Sequence, residues 1–323
     1  MNRYQRQQML PEIGEEGQKA LSTAHVLVVG AGGLGSTLLP LLAGAGVGYL
    51  RVWDDDVVEL HNLHRQTLYT LNDIGQSKAL CVVRALGARN HDCIIEARQQ
   101  ALCISTVAQA LQDVDLVIDA ADNFVVTYTL SDACQQLGIP LISASVLGRQ
   151  GYVGGFCASA PSYRAVFPCL PISTTANCNT TGVMGPAVAT LGALQAQMAL
   201  SVLLKFSPSP LGSLVNCDFI QWHFRSFRFD NAEEPVNSAI PFIDCNMLKA
   251  DDCIIELRSR QEAPYSVAES VQRIPLFAIE QWQPPANRRV VLVCASGIQA
   301  AKAAMLLEQR GVDRLAIIAA NRS

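Results

Sequence analysis

The chain has 323 residues, which fits about two domains at roughly 150 residues per domain. Its 24 lysines and arginines against 28 aspartates and glutamates give a net charge of −4, so no positive excess points to nucleic acid. Only 16% of the residues are charged and 50% are hydrophobic. This composition excludes a disordered or collagen-like chain and leaves a membrane-associated protein or one that buries more surface than a monomer would.

Two long uncharged runs test the membrane alternative. Val26 to Leu50 has enough residues to cross a bilayer, which takes about 20, but its seven glycines cluster where a strand would turn into a helix. Val183 to Leu204 carries Gln195 and Gln197 and follows a polar loop. The N-terminus lacks the apolar core of a signal peptide. These features favour a cytoplasmic protein without a membrane span.

Apolar strand-like runs alternate with helical patterns as far as Ser145, in units of about 30 residues, which predicts a parallel sheet with helices on both faces. The predicted strands are His25 to Gly30, Tyr49 to Trp53, Cys93 to Ala97, Asp115 to Asp119 and Pro140 to Ser145. The predicted helices are Leu34 to Ala45, Lys78 to Arg89, Thr106 to Leu111 and Phe124 to Leu137.

The pattern changes after Ser145. Gly148 to Ala158 is typical of an antiparallel ribbon, and Ser159 to Thr181 is a long proline-containing stretch of the kind that is usually functional. Glu233 to Pro241 is predicted to be a linker. A small α/β unit follows, with predicted elements at Cys253 to Leu257, Val290 to Cys294, Gly297 to Arg310 and Arg314 to Ala319.

The expected fold is therefore α/β, with a Rossmann-like, doubly wound, mostly parallel sheet and an antiparallel extension over residues 1–232, and a small α/β domain over 233–323. Eleven cysteines without a C-x-x-C pair predict neither a disulfide framework nor a four-cysteine zinc site.

A glycine-rich loop follows the first predicted strand. Gly30, Gly32 and Gly35 form G-x-G-x-x-G, with Gly33 between them, and Asp54 comes about 20 residues later at the end of the second strand. Such glycines let backbone N–H groups approach phosphates, and the carboxylate binds ribose hydroxyls. The pattern predicts a nucleotide site; the alternative is a tight βα turn.

Polar residues beyond this loop help to distinguish a nucleoside triphosphate from a nicotinamide dinucleotide as the bound nucleotide. They are Asp56, Asn62, Arg65, Gln66, Lys78, Asp122 and Asn123. A hydride-transfer enzyme has no need of Arg65 and Lys78, whereas a triphosphate needs cations and its magnesium needs a carboxylate such as Asp122. Surface solubility is the alternative explanation for either cation alone.

The order of these motifs resembles the ThiF/MoeB/HesA adenylyltransferases, the bacterial relatives of ubiquitin-activating enzymes. The resemblance covers roughly residues 1 to 230. It rests on Arg3-Tyr4-Gln5-Arg6-Gln7, Gly30-Ala-Gly-Gly-Leu-Gly35, Asp54-x-Asp56, Asn62-Leu-His-Arg65-Gln66, Gly75-Gln-Ser-Lys78, Asp122-Asn123, Cys178-x-x-x-Gly182-Val183 and Gly192-x-Leu-Gln-Ala196.

The resemblance implies ATP-dependent adenylation of a C-terminal carboxylate, usually the Gly-Gly tail of a small ubiquitin-like sulfur carrier, in molybdopterin or thiamine biosynthesis. Asp54 would hold the ribose, and Asp122 would bind Mg²⁺ and align the carboxylate. Asn62, Gln66 and the catalytic cations Arg65 and Lys78 would contact phosphates, and Arg6 would complete the ATP site, partly across a homodimer interface. A cysteine desulfurase would donate the sulfur. The alternatives are a nicotinamide oxidoreductase and a non-catalytic scaffold that binds the carrier.

The sequence departs from the family pattern at three places. Thr127 stands where members often have Arg. Members that bind zinc use two C-x-x-C pairs, but this chain has Ser162-Tyr-Arg-Ala165 at the first and none around Phe229 to Val236, so no zinc is predicted. Cys178 matches the family cysteine, which forms a covalent link in some relatives and is dispensable in others.

The C-terminal residues resemble a degenerate rhodanese-like domain. Ile254-Ile-Glu-Leu-Arg258 matches a strand of that family, and Cys294-Ala-Ser-Gly297-Ile-Gln matches its active loop. The resemblance implies a persulfide on Cys294, held by backbone N–H groups. Because Ala295 and Gln299 stand at the usual arginine positions, a docking or structural domain is the alternative, and a buried cysteine at a strand end is a third.

Overall fold

The computed structural model describes residues 3–168, 182–235 and 240–320. The strands of its large sheet are β1 (His25–Val29), β2 (Tyr49–Trp53), β3 (Ile94–Arg98), β4 (Leu116–Asp119), β5 (Leu141–Leu147), β6 (Gln150–Phe156), β7 (Ser213–Asp218) and β8 (His223–Arg228). Those of its small sheet are β9 (Cys253–Glu256), β10 (Val271–Arg273), β11 (Val290–Cys294) and β12 (Leu315–Ala319).

The α-helices are α1 (Gln5–Gln8), α2 (Gly14–Thr23), α3 (Gly33–Ala45), α4 (Lys78–Arg89), α5 (Ile104–Ala110), α6 (Phe124–Leu137), α7 (Tyr163–Val166), α8 (Gly185–Leu203) and α9 (Ile298–Gln309). Short 3₁₀ helices lie at Leu60–Asn62, Leu71–Asp73, Cys245–Met247 and Leu276–Ala278.

The large sheet has the strand order β3-β2-β1-β4-β5-β6-β7-β8. Its first five strands pair in parallel, and β5 to β8 pair antiparallel. The small sheet is parallel, in the order β10-β9-β11-β12. These sheets confirm the predicted fold class, including the antiparallel extension.

The central strands are buried on both faces, as parallel strands flanked by helices must be. Side chains alternate along β1, so that Val28 packs on the face covered by Leu38 of α3, while Leu27 belongs to the opposite core with Tyr128 of α6. The helices on both faces hold the ends of β1, β2 and β4 at one edge of the sheet.

The apolar run from Val183 to Leu204 forms α8. Among the described residues, α8 is the one helix long and apolar enough to cross a membrane. Its N-terminal half packs tightly on α3, since a Cβ on Gly192 would lie 2.8 Å from the carbonyl oxygen of Leu34. In the next turn, the buried Gln195 donates to the carbonyl oxygen of Asp119 at 2.7 Å. One part of the run, including Gly192 and Gln195, therefore packs in the protein core.

The segment predicted to be a linker, Glu233 to Pro241, is hydrogen-bonded to other parts of the chain near both of its ends. The Glu234 carboxylate accepts two hydrogen bonds from Ser162, and the carbonyl oxygen of Pro241 accepts one from the N–H of Ile317 in β12 at 2.9 Å. Composition alone could not reveal these hydrogen bonds, because the partners are distant in sequence. The four residues 236–239 lie outside the described part.

The two sheets share one continuous hydrophobic core. A single cluster of buried side chains joins Leu27 and Tyr128 beside the large sheet to Phe242, Ile255 and Cys294 of the C-terminal residues. The nine cysteines in the described part of the chain are all free, and most are buried.

Candidate active site

The candidate site lies at the carboxyl ends of β1, β2 and β4. The chain runs outward from β1 to β2 and β3, then returns to place β4 on the other side of β1. In open α/β sheets, ligands bind outside the carboxyl ends of the strands at such a reversal of strand order. Gly30, Asp54 and Asp122 each follow one of these strands, so the topology brings three predicted residues to one edge.

The glycine loop has no space for side chains at its two ends. Gly30 has φ +97°, and a Cβ there would lie 2.5 Å from the carbonyl oxygen of Ala120. A Cβ on Gly35 would lie 2.2 Å from the carbonyl oxygen of Gly30. The loop leads directly into α3, which begins at Gly33 with Gly32 as its N-cap. A bare backbone at a helix N-terminus is a cradle for phosphate.

Asp54 is bound to the backbone of this loop. Its carboxylate accepts hydrogen bonds from the N–H of Ala31 at 2.7 Å and from the N–H of Asp56 at 2.9 Å. Burial raises the pKa of Asp54 to about 6, while these hydrogen bonds and the charge of Lys78 oppose the rise. Asp54 therefore holds the loop after β1 against β2, in the place predicted for ribose binding.

Lys78 is the first residue of α4 and is only 3% exposed. Its Nζ lies 2.7 Å from Asp56 Oδ2, and its backbone N–H donates to the carbonyl oxygen of Asp56 at 3.0 Å. Lysine is rarely buried unless it is paired. Surface solubility therefore does not explain Lys78, and the pair keeps an ammonium group beside the loop after β2.

The turn from Asn62 to Gln66 contacts the glycine loop. A Cβ on Gly33 would lie 3.8 Å from Arg65 Cδ, and one on Gly32 would lie 3.7 Å from Gln66 Nε2. Arg65 is oriented by Asn62, whose Oδ1 accepts a hydrogen bond from Nη2 at 3.1 Å. The buried Gln66 Oε1 has no hydrogen-bond partner. An unpaired buried amide oxygen is costly unless a ligand or water satisfies it.

Asp122 and Asn123 lie in the loop between β4 and α6. Asn123 is the N-cap of α6, with Oδ1 accepting from the N–H of Val125 at 2.9 Å. Asp122 precedes this cap and is exposed. A Cβ on Gly30 would lie 2.9 Å from the backbone nitrogen of Ala121, so the Asp122 loop packs directly on the glycine loop.

Asp119, the last residue of β4, anchors the loop between β4 and α6, a role that the sequence did not reveal. Its fully buried carboxylate accepts hydrogen bonds from Thr127 Oγ1 at 2.7 Å, Ser143 Oγ at 2.8 Å and the N–H of Ala121 at 3.2 Å. Burial raises its pKa to about 6, opposed by these hydrogen bonds. An aspartate closing an apolar strand was visible in the sequence, but its partners were not.

Thr127, which departs from the family pattern, is thus part of the buried network around Asp119. The second departure also has a structural counterpart. Ser162 donates to Glu234 through its N–H and its Oγ, both at 2.7 Å. This pair joins the two segments where zinc-binding members have cysteines. No cluster of three metal-ligating side chains occurs in the described ranges, and the absence of zinc stays a prediction.

Two candidate residues in the described part of the chain, Arg6 and Cys294, are not brought to the glycine loop. Arg6 lies on α1, whose Gln7 donates to the carbonyl oxygen of Ala45 at the far end of α3, and the 13 residues of α3 span about 20 Å. Cys178 lies outside the described residues. Cys294 ends β11 in the small sheet, is 1% exposed and accepts a hydrogen bond from the N–H of Ala300 at 3.3 Å.

Comparison with known proteins identifies the family. A family model described as the ThiF family matches residues 4–238, more than half of the chain. The chain belongs to the ThiF family. The matched part contains every predicted nucleotide-binding residue. It ends at residue 238, so the rhodanese-like resemblance of the C-terminal residues stays a prediction.

Relatives of this ThiF-family protein are named adenylyltransferases. It is 40% identical over 232 residues to the sulfur carrier protein adenylyltransferase of Thermus thermophilus, covering 70% of this chain and 86% of the relative. It is 37% identical over 238 residues to the SAMP-activating enzyme E1 of Haloferax volcanii, covering 73% and 88%. The adenylyltransferase and sulfurtransferase MOCS3 of Xenopus laevis is 38% identical over 228 residues, covering 70% of this chain and 51% of the relative.

The match therefore spans most of the first two relatives but about half the length of MOCS3. Among solved structures, E. coli MccB with MccA-N7isoASN matches with a TM-score of 0.65 and 21% identity over 74% of this chain and 75% of that one. That likeness shows the fold. Together the family and its relatives make this ThiF-family protein an adenylyltransferase.

Proposed function

We propose that this protein adenylates the C-terminal carboxylate of a small ubiquitin-like sulfur-carrier protein that ends in Gly-Gly. The carboxylate oxygen attacks the α-phosphate of ATP, the bond to the bridging oxygen of the β-phosphate breaks, and pyrophosphate leaves. The observation that carries the proposal is the convergence of the glycine loop, Asp54, Lys78, Arg65 and Asp122 at one sheet edge. The names of the relatives support the choice of a sulfur carrier as substrate.

ATP fits the residues at this edge. The glycine cradle has room only for backbone, which favours phosphate, and the unpaired amide oxygen of Gln66 suits a donor on the nucleotide. Asp54 is placed to accept from ribose hydroxyls. Arg65 and Lys78 supply positive charge where the β- and γ-phosphates would lie. Because the reaction needs positioning and charge neutralisation, no protein nucleophile is required for this step.

Magnesium fits Asp122. Mg²⁺ is usually bound by one or two carboxylates together with substrate phosphates, so one exposed carboxylate beside the phosphate cradle is sufficient. The ion would neutralise phosphate charge when bound. Asp122 would hold the ion close to the glycine loop, because the loop that carries Asp122 packs on the glycine loop.

The proposed function extends to the oligomeric state, the sulfur donor, the location and the pathway. Arg6 lies at the far end of α3 from the glycine loop of its own chain, which supports a homodimer in which Arg6 serves the partner's site. A cysteine desulfurase as sulfur donor, a cytoplasmic location and a pathway of the molybdopterin or thiamine type complete it. Hydride transfer is disfavoured because it gives no role to the buried Lys78 or to Arg65.

Pyrophosphate exchange tests the proposed function. The protein should exchange labelled pyrophosphate into ATP only when a carrier ending in Gly-Gly is present, and not when the carrier lacks its last glycine. Asp122→Asn should reduce exchange by about a hundredfold, whereas Asp55→Asn, at an exposed carboxylate of the neighbouring loop, should not. Unchanged exchange in Asp122→Asn would refute the assignment. Carrier binding with neither ATP binding nor exchange would identify a scaffold.

A further inference from the structure

The loop that follows β11 packs against the helix that follows Asp122. This loop, residues 295–297, is called the cysteine loop here because Cys294 precedes it. A Cβ on Gly297 would lie 2.7 Å from Cγ2 of Val125. Val125 is in the first turn of α6, and its N–H is capped by Asn123. The loop after β11 thus contacts α6 within a few residues of the proposed magnesium carboxylate, Asp122.

Two further contacts fix the C-terminal residues against the same side of the large sheet. Phe242 packs on Tyr128 of α6, with ring centroids 6.4 Å apart. Asp244 Oδ2 accepts a hydrogen bond from the N–H of Ser105 in α5 at 2.7 Å. With the shared core, these contacts hold the cysteine loop in one position on α6.

In this arrangement the residues around the cysteine loop are packed in the protein interior. Cys294 is 1% exposed, and its Sγ is covered by the N-terminal turn of α9, where Ala300 donates to it. Burial raises the pKa of the thiol, against the opposing effect of the surrounding N–H groups. The thiol is therefore shielded from a sulfur donor in solvent in this arrangement.

We propose that the C-terminal unit positions the adenylation site, with Gly297 as the residue through which it acts. The proposal rests on the proposed function. The cysteine loop supports the first turn of α6, and this turn fixes Asn123 and the Asp122 loop against Gly30. Packed interiors transmit displacements instead of absorbing them. Since small misplacements of a catalytic group reduce rates strongly, the support would be felt in catalysis.

Gly297→Ala in the full-length protein tests the inference. The new methyl group must displace Val125, which cannot simply rotate away because a valine in a helix is largely confined to one rotamer. Gly311→Ala is the matched control. Gly311 lies in the same unit with φ +85°, close to the +78° of Gly297, but a Cβ there has nothing within 4 Å. Both glycines have a positive φ that alanine adopts only with strain, and only the Gly297 variant brings a methyl group against α6.

We expect Gly297→Ala to lower the rate of carrier-dependent pyrophosphate exchange by about tenfold relative to Gly311→Ala. The loss should appear in kcat or in the KM for magnesium-ATP. Hydrogen exchange of the amides of residues 124–127 should accelerate in Gly297→Ala alone. Adding Val125→Ala should restore both values by making room for the methyl group. The double variant shows whether the effect arises from the contact between residues 297 and 125. The free energy of unfolding of each variant in urea separates a positioning role from a general loss of stability, because a positioning role lowers exchange at a temperature where the variant stays folded.

Equal exchange activity in the two glycine variants would overturn the inference. If the wild-type protein itself shows no carrier-dependent exchange, the proposed function fails, and the two failures are distinguishable. A sulfur-transfer activity that is lost in Cys294→Ala, with normal exchange in Gly297→Ala, would assign the cysteine loop to sulfur chemistry and refute the positioning role.

Discussion

Replacing Asp119 by asparagine should change how the stability of the protein depends on pH. The carboxylate is fully buried. It accepts hydrogen bonds from the hydroxyls of Thr127 and Ser143 and from the N–H of Ala121. Asp122 adds a like charge nearby. Asparagine has the same shape, and the two hydroxyls can rotate to accept from its amide. The substitution therefore removes the charge with little change in packing.

The magnitude follows from the pKa of Asp119, which burial raises from 3.8 to about 6. The difference corresponds to about 3 kcal/mol of unfolding free energy, at about 1.4 kcal/mol per pH unit. Between these two pH values the folded state binds more protons than the unfolded state, so the wild-type protein loses stability as the pH rises through the window. Above pH 6 the full cost of the buried charge is present. Asp119→Asn lacks this cost at every pH.

Urea unfolding of both proteins at several pH values measures the effect. The free energy of unfolding of Asp119→Asn, minus that of the wild type, should be about 2 to 3 kcal/mol more positive at pH 7.5 than at pH 4. Comparison within each pH cancels the contributions of other carboxyl groups. Asp55→Asn, at an exposed carboxylate, should show no such change. A difference between Asp119→Asn and wild type that stays constant from pH 4 to 7.5 would refute the buried-charge explanation.

Three shorter predictions concern other contacts. Glu234→Ala should lower the free energy of unfolding in urea by about 1 kcal/mol, since it removes the two hydrogen bonds that its exposed carboxylate accepts from Ser162. Glu233→Ala should not lower it, and equal effects of the two variants would contradict this explanation. Gly30→Ala should weaken ATP binding at least tenfold in calorimetry because its Cβ would meet the β4–α6 loop, whereas Gly75→Ala, with φ +82° and open space, should bind normally. Cys294 should react with iodoacetamide at pH 8 at least about tenfold more slowly in the folded than in the urea-unfolded chain, because burial hides the thiol and raises its pKa. Equal labelling would show an accessible cysteine loop.

Local patterns predicted the parallel half of the fold well. The strand Tyr49–Trp53 and the helices Lys78–Arg89 and Phe124–Leu137 have the predicted bounds, because each combines an apolar period with clear end signals. The β7–β8 hairpin was not predicted. All six residues of β8, His223–Arg228, are exposed, so the strand has no alternation of buried and exposed side chains to reveal it.

The candidate site was predictable where it depends on short motifs and not where it depends on distant partners. The glycines and Asp54 follow strand ends, and strand topology alone brings them together. The support of Asp119 by Ser143 and by Gln195, which is 76 positions away, needs the tertiary fold. The same is true of Gly297, whose contact with Val125 joins two units that the sequence treats as separate.

The Ser162–Glu234 pair has a consequence for the conditions under which this part of the molecule keeps its shape. Thiolate ligands are lost to oxidants and to chelators, because both reactions remove the sulfur–metal bond. A hydroxyl and a carboxylate are inert to both. The link between these two segments should therefore withstand peroxide stress and metal starvation.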